Sequence, residues 1–104
     1  MNEDIFEQFK NNNAVINCIT EEDAAALFEI LKNNNIYWRS GNTLNRNKTA
    51  WNHNRENMCY RCNENELSFA SVEYYAEEGK TIYTYEDLIG AARVPEFNIF
   101  DYLK

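Results

Sequence analysis

The side chains best suited to chemistry lie between Tyr37 and Arg61, where aromatic and cationic residues are interleaved. Guanidinium groups bind phosphate through paired hydrogen bonds, and aromatic rings stack on nucleotide bases. The members of this set, together with a serine beside a glycine turn, are Trp38, Arg39, Ser40, Arg46, Trp51, Arg55 and Arg61. Their composition predicts a binding site for a small anionic nucleotide, such as a cyclic oligonucleotide. Under the alternative interpretation, both tryptophans belong to the core and the cations decorate a loop.

Charge is distributed unevenly along the chain. The net charge is −7, yet the segment from Arg39 to Cys62 holds five cations and one anion, so it carries +4 and the rest of the chain carries −11. General coating of nucleic acid is not expected, because phosphate binding needs a broad basic face. A local basic segment on an acidic body suits one small anion or one acidic partner surface. Alternatively, the acidic body mimics nucleic-acid phosphates and occupies a basic channel of another protein.

Cysteine and histidine are too few and too unfavourably spaced to indicate a catalytic or metal centre. On a strand, the spacing of Cys59 and Cys62 points the two thiols to opposite faces. A zinc site needs four converging ligands, and a thiol nucleophile needs a lowered pKa and an oriented base. Nothing near His53 or Cys18 indicates either arrangement. We therefore expect buried free thiols, no metal, no cofactor and no enzymatic activity.

The elements that must position the basic segment are short and alternate in type. Before it, the pattern predicts a helix over residues 3–10, a strand over 14–18 and an amphipathic helix from Thr20 to about Lys32, which begins with the capping box TEED. Within and after it, the pattern predicts a strand over 36–38, a loop over 42–51, a hairpin of 58–61 with 67–72, a helical turn over 73–78, a strand over 81–85 and a helix over 86–92.

This order of elements predicts an α+β fold in which residues 1–104 form one two-layer domain. We expect a mainly antiparallel sheet of about four to five strands with one main helix packed on it. Residues 95–104 begin with the only proline and are predicted to form a C-terminal tail. The tail is rich in apolar residues for a terminus, so it either belongs to the core or crosses to a neighbouring subunit, and a homo-oligomer is expected.

The location of the protein is also predicted from patterns that the chain lacks. No apolar run approaches the roughly 18 residues that a membrane helix needs, so no membrane association is expected. The first residues, MNEDIFEQFKNNN, do not combine a basic region with an apolar one as a secretory signal does. We therefore expect a cytoplasmic protein, in which three cysteines stay reduced.

Several short stretches resemble a pattern in small phage and prophage proteins. The stretches are Ile36–Gly41 (IYWRSG), Cys59-Tyr60, Val72–Tyr75 with Gly79, and Thr81–Tyr83 leading into Glu86–Leu88. The pattern has a W-x-S-G turn after the first helix, a C-Y strand in the middle and an aromatic last strand. The similarity covers roughly residues 14 to 89. The chain departs from the pattern where asparagine replaces the glycine that often precedes the aromatic strand, and in its extended tail.

The resemblance implies a phage-encoded protein that acts in the cytoplasm of the host cell, and it carries over no catalytic residues. Small phage proteins without enzyme motifs are often binders that blunt host defence. One hypothesis is a non-enzymatic sponge that sequesters a nucleotide immune signal. The alternative is an acidic inhibitor that binds a host defence complex, such as CRISPR or restriction machinery. A third hypothesis is a structural or regulatory accessory without a ligand.

Overall fold

A computed structural model describes residues 1–90 of the chain, and the predicted tail at 95–104 lies outside the described residues. The elements, in chain order, are α1 (Glu3–Lys10), β1 (Ala14–Cys18), α2 (Glu21–Asn33), β2 (Tyr37–Trp38), β3 (Met58–Asn63), β4 (Glu66–Ser71), α3 (Val72–Glu77), β5 (Thr81–Thr84) and α4 (Tyr85–Ile89). Two 3₁₀ turns, Trp51–His53 and Arg55–Asn57, precede β3. The prediction of a single α+β domain is confirmed for these residues.

Several helices begin at side-chain N-caps, and the sequence predicts the cap of α2. Thr20 Oγ1 accepts a hydrogen bond from the Asp23 amide at 3.0 Å, as the TEED sequence predicts. Asn2 caps the first turn of α1 in the same way at 3.1 Å, and Thr84 forms a reciprocal capping box with Asp87 at α4. Each cap contributes about 1 kcal/mol. The contribution matters because α3 and α4, with six and five residues, are too short to be stable alone.

The five strands form one mixed sheet in the order β2-β4-β3-β1-β5. Strand β3 is antiparallel to both β1 and β4, whereas β1 pairs in parallel with β5 and β2 pairs in parallel with β4. Four strands therefore point the same way and β3 alone is reversed. The sequence predicted a mainly antiparallel sheet because the β3–β4 hairpin is its clearest local signal. The parallel pairs join strands that are distant in sequence, and no local pattern reveals them.

Two helical connections cross the sheet in opposite directions. Helix α2 links β1 to β2, and α3 links β4 to β5, in each case between strands that point the same way. Such crossovers are almost always right-handed. Two crossovers of one hand that run in opposite directions must lie on opposite faces of the sheet. Accordingly, α1, α2 and α4 pack on what we call the first face, and α3 packs on the second face.

The first face carries the main core. The predicted buried stripe of α2 is confirmed and consists of Ala24, Leu27, Phe28 and Leu31. Phe28 packs edge-to-face on Trp38 and Tyr60, with ring centroids 5.4 and 5.1 Å apart. The second face has a smaller cluster around Val15, Cys59 and Tyr75, under α3. None of the helices described in residues 1–90 is long and apolar enough to cross a membrane.

Candidate functional site

The structure divides the seven predicted site residues among separate places. Four of them line two adjoining cavities near the β2 edge of the sheet: Trp38, Arg39, Ser40 and Arg61. The other three lie elsewhere: Arg46 lines a cleft beside α2, and Trp51 and Arg55 belong to the two 3₁₀ turns. The seven residues therefore do not line one pocket, and only the first four line neighbouring cavities.

Trp51 fastens a loop to the core. Its indole Nε1 donates a hydrogen bond to the Cys18 carbonyl at 2.9 Å, and its half-buried ring packs against the main core. Nearby, the Tyr60 hydroxyl donates to the Thr49 carbonyl at 2.8 Å, and the Asn17 amide donates to two carbonyls just before and within β3 at 3.1 and 2.9 Å. The bonds made by Trp51 and Tyr60 hold the end of the segment for which the sequence predicted a loop. This geometry favours the interpretation of Trp51 as a core residue.

Arg46 and Arg55 lie apart from the two adjoining cavities. Arg46 Nη1 is 3.5 Å from Glu29 Oε2, and both side chains are about half exposed. Such a surface ion pair contributes at most about 1 kcal/mol. Arg55 is exposed on its 3₁₀ turn with a φ of 53°, in the left-handed region. Since neither residue lines the two adjoining cavities, they are matched arginine controls for Arg39 and Arg61.

Arg39 and Arg61 lie in one row across the second face, with Ser68 between them. Ser68 of β4 pairs with Arg61 of β3, and Leu67 of β4 pairs with Trp38 of β2. The Arg39 amide donates to the Leu67 carbonyl at 3.0 Å, which continues the β2 register and places Arg39 beside Ser68. Because neighbouring strands lie about 4.8 Å apart, the two arginine Cα atoms are roughly 10 Å apart. Arg39 and Arg61 therefore flank Ser68 along this row of the sheet.

Two adjoining cavities open beside this row. The polar cavity has a volume of about 230 Å³ and is lined by Arg39, Arg61, Asn63, Glu66 and Ser68. The apolar groove has a volume of about 260 Å³ and is lined by Trp38, Arg39, Ser40, Leu67, Ser68 and Phe69. The two share Arg39 and Ser68, so a charged cavity and an apolar one adjoin at these two residues.

The wall of the apolar groove is fixed by packing and by a tight turn. Trp38 is half-buried, and its ring meets Phe28 and Phe69 edge-on at centroid distances of 5.4 and 6.1 Å. Behind it, the Gly41 amide donates to the Trp38 carbonyl at 2.7 Å. Gly41 has a φ of 96°, a conformation that side-chain-bearing residues rarely adopt. The turn leads the chain away from the core, so Arg39 and Ser40 are both exposed.

The polar cavity has a net positive lining on an otherwise acidic surface. Of the fifteen acidic residues within positions 1–90, fourteen are exposed. Among the residues that line the polar cavity, two are arginines and Glu66 is the single carboxylate. The surrounding acids repel a long polyanion such as a nucleic-acid duplex, whereas a small anion in the cavity meets two arginines and one carboxylate, Glu66.

Lys80 is a third cation, next to Arg61 and outside the linings of the two cavities, and sequence reasoning missed it. Arg61 Nε donates to Asn12 Oδ1 at 2.8 Å, and Lys80 Nζ donates to the same oxygen at 3.3 Å and to the Asn12 carbonyl at 2.6 Å. Because the two nitrogens share one acceptor, they lie no more than 6.1 Å apart. Lys80 lies outside the basic segment, and no pattern in the sequence connects it with Arg61.

Ser68, Asn63 and Glu66 were also missed, although the sequence contains a signal for them. The predicted hairpin alternates apolar and polar positions, so its outward positions can be paired once the turn is located. That turn is formed by Glu64 and Asn65, which both have positive φ, at 53° and 69°. Two consecutive left-handed residues are typical of a two-residue hairpin loop. With this loop, Arg61 pairs with Ser68 and Asn63 pairs with Glu66, as in the structure.

The thiols and the histidine do not form a reactive pair. All three cysteines are free and buried, and Cys59 and Cys62 contribute to opposite faces of the sheet, as predicted. Burial raises the pKa of Cys59 to about 12 and also raises the pKa of Cys18 and Cys62, which disfavours the thiolate. The His53 ring packs 5.3 Å from that of Phe69. Within residues 1–90, no three metal-binding side chains come together.

Comparison with known proteins finds no match: no protein-family model, no curated protein and no solved structure matches the chain. The resemblance to small phage proteins therefore stays a prediction.

Proposed function

We propose that this chain is a non-enzymatic binding protein for a small anionic nucleotide. The phosphate lies in the polar cavity between Arg39 and Arg61, and the base lies in the apolar groove against Trp38. The observation that carries the proposal is that the two cavities share Arg39 and Ser68. A nucleotide has the matching form, since a charged group and a flat aromatic ring are joined within one small molecule.

Each part of the proposed site has a defined contribution. Arginine binds phosphate through a planar fork of donors, and each charge-assisted hydrogen bond contributes about 1.5–3 kcal/mol. The Arg61 Nε bond to Asn12 uses one of five guanidinium donors, so four remain for a ligand. Asn63, which lines the polar cavity, and Ser40, which lines the apolar groove, can hydrogen-bond to the sugar or to base edges.

In this proposal the protein works as a sponge. A phage encodes it, and in the host cytoplasm it sequesters a nucleotide immune signal and thereby acts against host defence, as a homo-oligomer. The support for this setting is the resemblance of the IYWRSG stretch to small phage proteins. In the structure the same stretch supplies the indole, guanidinium and hydroxyl groups of the groove wall.

Calorimetric titration against mononucleotides and cyclic di- and trinucleotides tests the proposal. We expect measurable binding of at least one nucleotide, and a loss of roughly tenfold or more in affinity for Arg39→Gln and for Arg61→Gln. The controls Arg46→Gln and Arg55→Gln keep the wild-type affinity within about twofold, since neither residue lines the two adjoining cavities. Absence of heat with every nucleotide, at concentrations where the protein is folded, overturns the proposal.

A second candidate function is the acidic inhibitor that binds a host defence complex in place of nucleic acid. The observation that favours it is the exposure of the carboxylates on and beside α3: Glu73, Glu77 and Glu78. The two functions depend on opposite charges. Inhibition of a host nuclease that is lost in the double variant Glu73→Gln/Glu77→Gln, and kept in Arg39→Gln, supports the inhibitor and counts against the sponge.

A further inference from the structure

The row of cations on the second face continues past β3. The strand order places β2 and β5 on opposite sides of β3, so Arg39, which directly follows β2, and Lys80, which directly precedes β5, lie on opposite sides of Arg61. Lys80 is two positions before Ile82, which belongs to the second-face cluster, so its side chain points to the same face. Arg61 is therefore the middle member of three cations, between Arg39 and Lys80.

Asn12 holds Arg61 and Lys80 close together. Its side-chain oxygen accepts from Arg61 Nε at 2.8 Å and from Lys80 Nζ at 3.3 Å, which keeps the two nitrogens within 6.1 Å of each other. The Asn12 backbone is itself fixed by a turn, since its φ is 65° and its amide donates to the Phe9 carbonyl, in the last turn of α1, at 3.1 Å. The two cations are thus held by a neutral group that does not balance their charge.

The charge on this side of Arg61 is uncompensated. Within residues 1–90 the single ion pair joins Arg46 to Glu29, so neither Arg61 nor Lys80 is paired with a carboxylate there. Two like charges this close repel each other, and a bound anion relieves the repulsion. Asn12 engages one of the five donors of Arg61 and at most two of the three donors of Lys80, so each cation has donors left for a ligand.

We propose that the ligand carries two phosphate groups, one in the polar cavity between Arg39 and Arg61 and one between Arg61 and Lys80. This inference rests on the proposed function and specifies the class of nucleotide. A single phosphate in the polar cavity leaves the charge of Lys80 unbalanced, whereas a second phosphate neutralises it. The position of the base does not enter, because all three cations bind the phosphates.

Calorimetric titration compares nucleoside monophosphates with nucleotides that carry two phosphates. The probes are 5′-AMP and 5′-GMP, the diphosphates ADP and GDP, in which the phosphates are joined directly, and the 3′,5′-bisphosphates of adenosine and guanosine, in which a ribose separates them. For the wild type, we expect at least one two-phosphate nucleotide to bind at least tenfold more tightly than the monophosphate of the same base. The arm with the higher affinity shows how the two phosphates are spaced.

Lys80→Gln should remove most of this preference. It should weaken the two-phosphate nucleotide by roughly tenfold and change monophosphate affinity by less than twofold, because Lys80 lies outside the lining of the polar cavity. Arg39→Gln should weaken both classes, since it acts on the first phosphate.

Control variants separate a ligand contact from general charge attraction and from a structural role. Lys48→Gln removes the same charge from an exposed loop and should change neither affinity by more than twofold. Lys80→Arg retains the charge and can still donate to Asn12, so it should retain most of the preference. Thermal melting of each variant reports whether the fold is intact.

The outcomes distinguish this inference from the proposed function. Equal affinities for one and two phosphates in the wild type, or a preference that folded Lys80→Gln retains, overturn the inference alone, provided that Arg39→Gln still weakens binding. The wild-type comparison needs no variant, so it decides even if Lys80→Gln does not fold. Failure of every nucleotide to bind overturns the proposed function and the inference together.

Discussion

The two faces of the sheet differ in how completely helices cover them, and the proposed binding site lies where coverage is incomplete. Three helices seal the first face, whose side chains are almost all buried. On the second face, α3 has only six residues and packs over Val15 and Cys59, while the row of Arg39, Ser68 and Arg61 stays accessible within the described part of the chain. A sheet covered over part of one face offers a rigid floor whose polar side chains can reach a ligand.

The largest test of this comparison removes a central ring from the first face. Phe28 contacts two aromatic rings in the main core, so Phe28→Ala should lower the free energy of unfolding by about 3–5 kcal/mol. On the second face, Ile82→Ala removes a partly buried side chain and should cost about 1–2 kcal/mol. Urea unfolding measures both. Equal losses would show that the second face contributes as much to stability as the first.

The stability at alkaline pH tests whether water reaches the part of the second face that α3 covers. Cys59 is fully buried there, and burial raises its pKa to about 12. An unfolded thiol titrates near pH 8.5, so above this pH the folded state retains a proton that the unfolded chain loses. The stabilisation is therefore complete below about pH 8.5 and falls toward pH 12 by about 1.4 kcal/mol per pH unit for each such thiol.

The corresponding measurement is the free energy of unfolding in urea from pH 8 to pH 10.5, for the wild type and for Cys59→Ala. Cys18→Ala is the matched variant on the first face, since burial raises that thiol pKa as well. Both variants should lose stability less steeply with pH than the wild type. If Cys59→Ala keeps the wild-type slope while Cys18→Ala reduces it, water reaches the second face under α3.

The sequence predicted the parts of the fold that depend on neighbours along the chain. The cap at Thr20, the stripe of α2 and the hairpin turn all follow from residues within a few positions of one another. The parallel pairing of β1 with β5 and of β2 with β4 depends instead on crossovers, in which the partner strand is chosen by three-dimensional packing.

The candidate site shows the same limit. Arg39 and Ser40 could be identified because they adjoin an aromatic strand and a glycine turn in sequence. Lys80 could not, since it meets Arg61 only through Asn12, and these three residues come from three distant parts of the chain. Composition also cannot show which aromatic ring lines a cavity: Trp38 and Trp51 both pack against the main core, and Trp38 also lines the apolar groove.

The smallest effect we predict distinguishes those two indoles. Trp51→Phe retains an aromatic ring on the first face but removes the Nε1 donor to the Cys18 carbonyl, so it should lower the free energy of unfolding by about 1 kcal/mol. The same variant should leave nucleotide affinity unchanged within about twofold, whereas Trp38→Leu should weaken it by roughly tenfold through lost stacking. Urea unfolding and calorimetric titration of both variants measure these effects. A loss of binding in folded Trp51→Phe would mean that the ligand contacts both indoles and that the site extends over the whole basic segment.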